Sequence, residues 1–129
     1  MTARVFKTRH FARWMRKTAL TDPALCCAVR EMAAGLVDAD LGGGVVKKRI
    51  GLPGRGKKGS VRTIVATRRA GLSFFVHGFA KSERENITSD ELAQLRGLSG
   101  ELLTLSPGAL DVALIDGALE EICDGCEAH

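Results

Sequence analysis

Hydrophobic positions along the chain change period several times, and each change marks an element. Arg4-Val5-Phe6-Lys7 alternates and predicts a short first strand. Phe11, Trp14 and Met15 then fall at i, i+3 and i+4, with Thr8 placed to cap the helix they define. Leu25, Val29, Met32 and Leu36 repeat the pattern in a second helix, where Asp22 is the expected cap and Pro23 suits the first turn. Gly42-Gly43-Gly44 ends the helical region. Three strands are expected next, over Val45–Ile50, Val61–Thr67 and Leu72–Ala80; the short link Arg68–Gly71 makes the last two an antiparallel hairpin. Thr88-Ser89-Asp90-Glu91 reads as a capping box, flanked by Ile87 and Leu92 as a staple. Leu92, Leu95 and Leu102 form the stripe of the helix it starts. Ser106-Pro107 opens a short further helix that Gly117 closes, and Leu119–Ile122 is a candidate last strand. The order β-α-α-β-β-β-α with a short tail is α+β: a small, mainly antiparallel sheet packed by an N-terminal helical hairpin and a C-terminal helix.

At 129 residues the chain is expected to be one domain, with a core over about 4–105 and an acidic extension over about 106–129. No apolar run approaches a membrane-spanning helix, and the first residues do not read as a signal peptide, so the cytoplasm is the expected compartment. In that compartment the four cysteines are expected as free thiols. Cys123, Cys126 and His129 have ligand-like spacing but supply three groups where structural zinc takes four, so no metal is expected.

Charge changes the picture more than composition does. Residues 1–84 hold 18 Lys/Arg against 5 Asp/Glu, and residues 85–129 hold 1 against 10. A block this basic favours a polyanionic partner, most often nucleic acid. Lys47-Lys48-Arg49 fills consecutive strand positions, so alternation sends Lys48 to one face and Lys47 with Arg49 to the other. Arg62 stands in an otherwise apolar strand, as a phosphate ligand or as half of an ion pair. Gly51–Lys57 approaches a phosphate-binding loop, but Lys58 replaces the hydroxyl that holds magnesium and a strand follows instead of a helix. What remains is a basic glycine-rich loop in which Arg55, Lys57 and Lys58 are either nucleic-acid contacts or part of a solvated surface. Alternation in the last core strand puts Phe75, His77, Phe79 and Lys81 on one face. His77 is there as a general acid or base, or as a packed residue. Lys81 and Arg84 follow where that strand approaches a helix N-terminus.

The stretch Gly56-Lys57-Lys58-Gly59-Ser60-Val61-Arg62-Thr63-Ile64-Val65-Ala66, with Phe74-Phe75-Val76-His77-Gly78-Phe79-Ala80-Lys81-Ser82-Glu83-Arg84-Glu85-Asn86-Ile87, resembles the RelE/ParE-like toxin superfamily. Its HigB-like RelE branch, from bacterial type II toxin–antitoxin systems, is the nearest in pattern. The resemblance implies a microbial ribonuclease-like fold and an mRNA interferase, an endoribonuclease that in related toxins cuts messenger RNA on the ribosome without metal or other cofactor. It implies a cognate antitoxin, often of helix-turn-helix type, as partner, with mRNA and the ribosome as targets. It places Arg62 on the scissile phosphate, Lys47, Lys48 and Arg49 on the RNA backbone, and Lys81 and Arg84 in a further catalytic stretch. Lys57, Lys81 and His77 are the acid–base candidates, because the chain has no tyrosine to fill that part. A gyrase-binding poison of the ParE type and a non-catalytic nucleic-acid-binding module are the alternatives.

Overall fold

A computed structural model describes residues 4–52, 59–68, 71–80 and 86–122. Among the described residues the chain runs β1 (Arg4–Thr8), α1 (Arg9–Met15), α2 (Asp22–Ala33), β2 (Ala39–Gly42), β3 (Val45–Gly51), β4 (Ser60–Arg68), β5 (Leu72–Ala80), α3 (Ser89–Leu103), α4 (Pro107–Ile115) and β6 (Leu119–Ile122). The strands form one sheet in the order β2-β3-β4-β5-β1-β6. Only β1 and β5 pair in parallel; the other neighbours are antiparallel. The α1–α2 hairpin supplies the crossover that lets β1 lie inside the sheet.

Each face of the sheet carries its own core. On one, Phe11, Met15, Leu25, Val29 and Met32 of α1 and α2 pack on Val46, Ile50, Val61, Val65 and Phe75. On the other, Leu102 and Leu110 of α3 and α4 pack on Phe6, Val45, Ile64, Phe74, Val76 and Phe79. The helices start where the sequence asks them to. Thr8 caps α1, and Thr88 with Glu91 forms the complete capping box of α3. Ile87 and Leu92, the expected staple, both join the α3-side core.

Four local expectations are corrected. The cap of α2 is Thr21, whose hydroxyl accepts from the Ala24 amide; Asp22 is already helical. Leu36 lies past the end of α2 and is exposed. Gly43 and Gly44 are the turn between β3 and a strand absent from the periodicity, β2, which ends at Gly42, and all three glycines take positive φ (83°, 66° and 81°). Four residues with two polar or glycine positions show no period a reader could detect. Finally, strict alternation fails in β5. Ile64 pairs with His77 but Val65 pairs with Phe75, so Val76 is a bulged extra residue. The bulge moves Phe79 onto the face of Phe74 and Val76, while Phe75 belongs to the opposite core.

Gly78 is fixed by packing. A Cβ there would stand 2.3 Å from the Trp14 ring, which lies flat over the strand. Trp14 also tilts against Phe11 at 5.3 Å. The hairpin therefore docks on β5 through an indole that only glycine accommodates.

Candidate nucleic-acid interface

Register and alternation decide where the cations of β3 and β4 point. Val45 and Ile64 both enter the α3-side core, so Lys47 and Arg49 in β3 and Arg62 in β4 emerge on that same face. Arg49 is the direct cross-strand partner of Arg62, and Arg62 is in turn opposite Phe79. Among the described residues, ion pairs form at Arg4, Lys7 and Lys48, and at none of Lys47, Arg49 or Arg62. Arg62 donates from Nη1 to the Ser60 hydroxyl at 3.3 Å, which leaves most of its fork unused. Like charges placed directly opposite each other weaken a sheet. Two arginines in that relation, with a lysine beside them, favour an anion between them.

Lys48 is placed apart from this group. It points into the α2 side, is 6% exposed, and reaches the Glu31 carboxylate at 2.8 Å and the Leu36 carbonyl at 2.9 Å. A buried ammonium requires such partners. Expected on the RNA backbone, Lys48 instead ties β3 to the last turn of α2. Of the other expected residues, Arg55, Lys57, Lys58, Lys81 and Arg84 lie outside the described residues.

His77 occupies the bulged stretch of β5 on the α3 side, where it lines a cavity of about 680 Å³ between β5, α3 and α4. Leu95, Leu98, Leu102, Leu105 and Leu119 make most of that cavity apolar. His10, from the first turn of α1, stacks on His77 with ring centres 5.6 Å apart and planes within 6°. His77 also meets Phe79 at 6.3 Å. Phe79, His77 and His10 thus lead away from Arg62 in a row of rings. His10 was not expected at the site. No spacing in the sequence links a helix N-terminus to a strand 67 positions on; the parallel pairing of β1 with β5 brings them together.

Towards the far edge, cations hold the α4–β6 segment. Arg4 binds Glu121 with two bonds of 2.9 Å, Lys7 approaches Glu120 at 3.5 Å, and Arg9 donates to the carbonyls of Asp116 and Gly117. Hydrogen bonds from Arg4 hold the Glu121 carboxyl below its ordinary pKa; partial burial opposes this, and the Arg4 charge adds to it. The basic half of the chain therefore binds part of the acidic half, at β6, at the edge of the sheet away from β2 and β3. Cys26 is disulfide-bonded, against the expectation of free thiols, while Cys27 is free and exposed. The Cys123-Cys126-His129 group lies outside the described residues.

A two-faced sheet with an α-hairpin on one side, cations emerging on the other and this strand order agrees with a comparison across nearly the whole chain. The family model described as the RelE toxin of the RelE/RelB toxin–antitoxin system matches residues 3–122. The chain belongs to the RelE toxin family. It is therefore a toxin of a toxin–antitoxin system, and the RelE family implies an antitoxin partner. No curated protein matches the chain. The RelE match takes in β6 as well as the core strands.

Proposed function

We propose that this RelE-family toxin is an mRNA interferase: a cytoplasmic endoribonuclease that cleaves messenger RNA, with or without the ribosome, and is neutralised by a cognate helix-turn-helix antitoxin. One observation carries the reading. Lys47, Arg49 and Arg62 emerge side by side on one face, and none has a carboxylate partner among the described residues.

The chemistry follows from the substrate. An RNA 2′-hydroxyl attacks the adjacent phosphorus, the bond to the 5′-oxygen of the next nucleotide breaks, and a 2′,3′-cyclic phosphate remains. Negative charge builds on the phosphate oxygens as this happens. Arg62 stabilises that charge, and a fixed donor of this kind is worth about 3 kcal/mol. Lys47 and Arg49 hold the flanking phosphates. A base must take the 2′-hydroxyl proton and an acid must protonate the leaving oxygen, together worth roughly 10²–10⁴-fold. His77, on the same face as Arg62, is assigned to one of these roles; Lys57 and Lys81 are the candidates for the other by family resemblance, as Arg84 is for further phosphate contact. The scheme needs no metal, and it requires the 2′-hydroxyl.

The test is incubation of the toxin with messenger RNA, with and without ribosomes, followed by analysis of the new 3′ ends. A 2′,3′-cyclic phosphate, and no cleavage where the attacking 2′-hydroxyl is replaced by hydrogen, is the expected result. Growth arrest with gyrase inhibition and intact RNA would overturn it in favour of a ParE-type poison. Absence of both would leave a non-catalytic nucleic-acid-binding module.

A further inference from the structure

One covalent bond in the chain has no part in the proposed cleavage chemistry. Cys26, in the first half of α2, is disulfide-bonded. The adjacent Cys27 is a free, exposed thiol, to whose sulfur Arg30 donates from Nη2 at 3.3 Å. The chain has four cysteines, so the partner of Cys26 is one of the two that remain. These are Cys123 and Cys126, which lie outside the described residues and follow the end of β6 by one and four positions in the sequence. Cys26 is only 7% exposed, which hides its sulfur from a second molecule.

The fold already brings α2 and β6 to one place. The Lys7 ammonium lies 2.9 Å from the Asp22 carboxylate and 3.5 Å from that of Glu120, so one side chain bridges the start of α2 and the last strand. Asp22 and Cys26 are one turn apart on the same side of α2. Leu25 and Val29, close to Cys26 along the helix, belong to the same core as Ile122, the last residue of β6. A disulfide needs Cα atoms about 4.4–6.8 Å apart, and each further residue of chain spans up to about 3.5 Å, so a few residues after Ile122 suffice to reach.

We infer that Cys26 is joined to Cys123 or Cys126, and that this bond is a reversible redox lock on the end of the last strand. β6 has four residues and stands at the edge of the sheet. Its ion pair with Arg4 is partly exposed and adds little. A covalent link from α2 to the chain beyond Ile122 holds that end in place. The loop it closes contains about a hundred residues, and a cross-link over so long a loop strongly restricts the unfolded chain. Closure turns two thiols into one disulfide with the loss of two electrons and two protons, which a small-molecule disulfide such as oxidised glutathione accepts. One cysteine thiolate displaces a thiol from it, and the second attacks the mixed disulfide and releases the other thiol; excess thiol reverses both steps. In the sheet, β5 and β1 separate β6 from β4 and its Arg62. The lock therefore governs how firmly the last strand is held and leaves the cations of β3 and β4 as they are.

The experiment uses the whole toxin prepared without reductant. Tryptic digestion and mass spectrometry should find the peptide of residues 18–30 joined to that of residues 97–129. Excess dithiothreitol should separate the two and lower the melting temperature of the intact protein by roughly 10 °C. In glutathione buffers the linked fraction should rise with the share of oxidised glutathione and fall back when that share is lowered. Cys26→Ser should abolish both the linked peptide and the effect of reductant on melting, and so should one of Cys123→Ser and Cys126→Ser, whereas Cys27→Ser should change neither. The wild type alone, with and without reductant, keeps the test decisive if a variant folds poorly. Absence of the linked peptide would overturn the inference, as would Cys26 joined to Cys27 or to a second molecule, equal melting in the two redox states, or a linked fraction that does not follow the glutathione ratio.

Discussion

Lys48 and Arg49 are neighbours in one strand with opposite fates. Lys48 has its charge met by Glu31 and the Leu36 carbonyl in a buried setting; Arg49 faces Arg62 in the open. Lys48→Met should lower stability by about 1–3 kcal/mol, because the carbonyl and carboxylate lose their donor. RNA cleavage well below the melting temperature should be unaffected. Arg49→Ala should do the opposite: relieve a like-charge pair, leave the melting temperature the same or slightly higher, and weaken RNA binding. Thermal melting and RNA titration of both variants would decide it; a Lys48→Met protein with normal melting and lost cleavage would contradict this division. Alternation alone separated Lys48 from its neighbours in the sequence, but it gave no means of telling which face was packed by α2. Gly78 is a second such case. Its glycine is uninformative in sequence, yet Gly78→Ala drives a methyl into Trp14 and should cost about 1–3 kcal/mol in a urea titration.

At the level of elements, the last strand is held by its pairing with β1 and by the burial of Leu119 and Ile122, with ion pairs added. β6 pairs with β1 at the edge of the sheet, and Arg4–Glu121 reinforces that pairing. The Glu121 carboxyl is lowered in the folded state, so its stabilising contribution is present above the unfolded carboxyl pKa of about 4.3 and is lost as pH falls through the folded value. Stability of the wild type should therefore drop further than that of Glu121→Gln between neutral and strongly acid pH. Both side chains are partly exposed, so the difference should be below about 1 kcal/mol. Denaturant titrations at several pH values measure it, and parallel curves for the two proteins would show that the pair contributes nothing. Most elements were legible, because caps and periods are local: the Thr88–Glu91 box and the Phe11/Met15 stripe are complete within a few residues. β2 and the β5 bulge were not. The first is too short to have a period, and the second is set by pairing with β4, which moves Phe79 to the face opposite the one alternation assigns it.

At the scale of the whole molecule, the described residues join a basic sheet face, a basic helix and an acidic last strand in the α+β fold of a RelE-family toxin. The family and the α+β order were readable from sequence, since the motif from Gly56 to Ile87 and the strand and helix periods are continuous in the chain. The site was readable only in part. Convergence of Lys47 and Arg49 with Arg62 depends on the β3–β4 register, and the stacking of His10 on His77 depends on the parallel β1–β5 pair. The proposed cleavage depends on that convergence serving a phosphodiester. Single-turnover cleavage of messenger RNA by Arg62→Ala, beside the wild type and with thermal melting on both, tests it most directly. The variant should melt with the wild type and cleave at least about 100-fold more slowly, the loss expected for one transition-state donor. Wild-type cleavage rates in a fully folded Arg62→Ala protein would contradict the account.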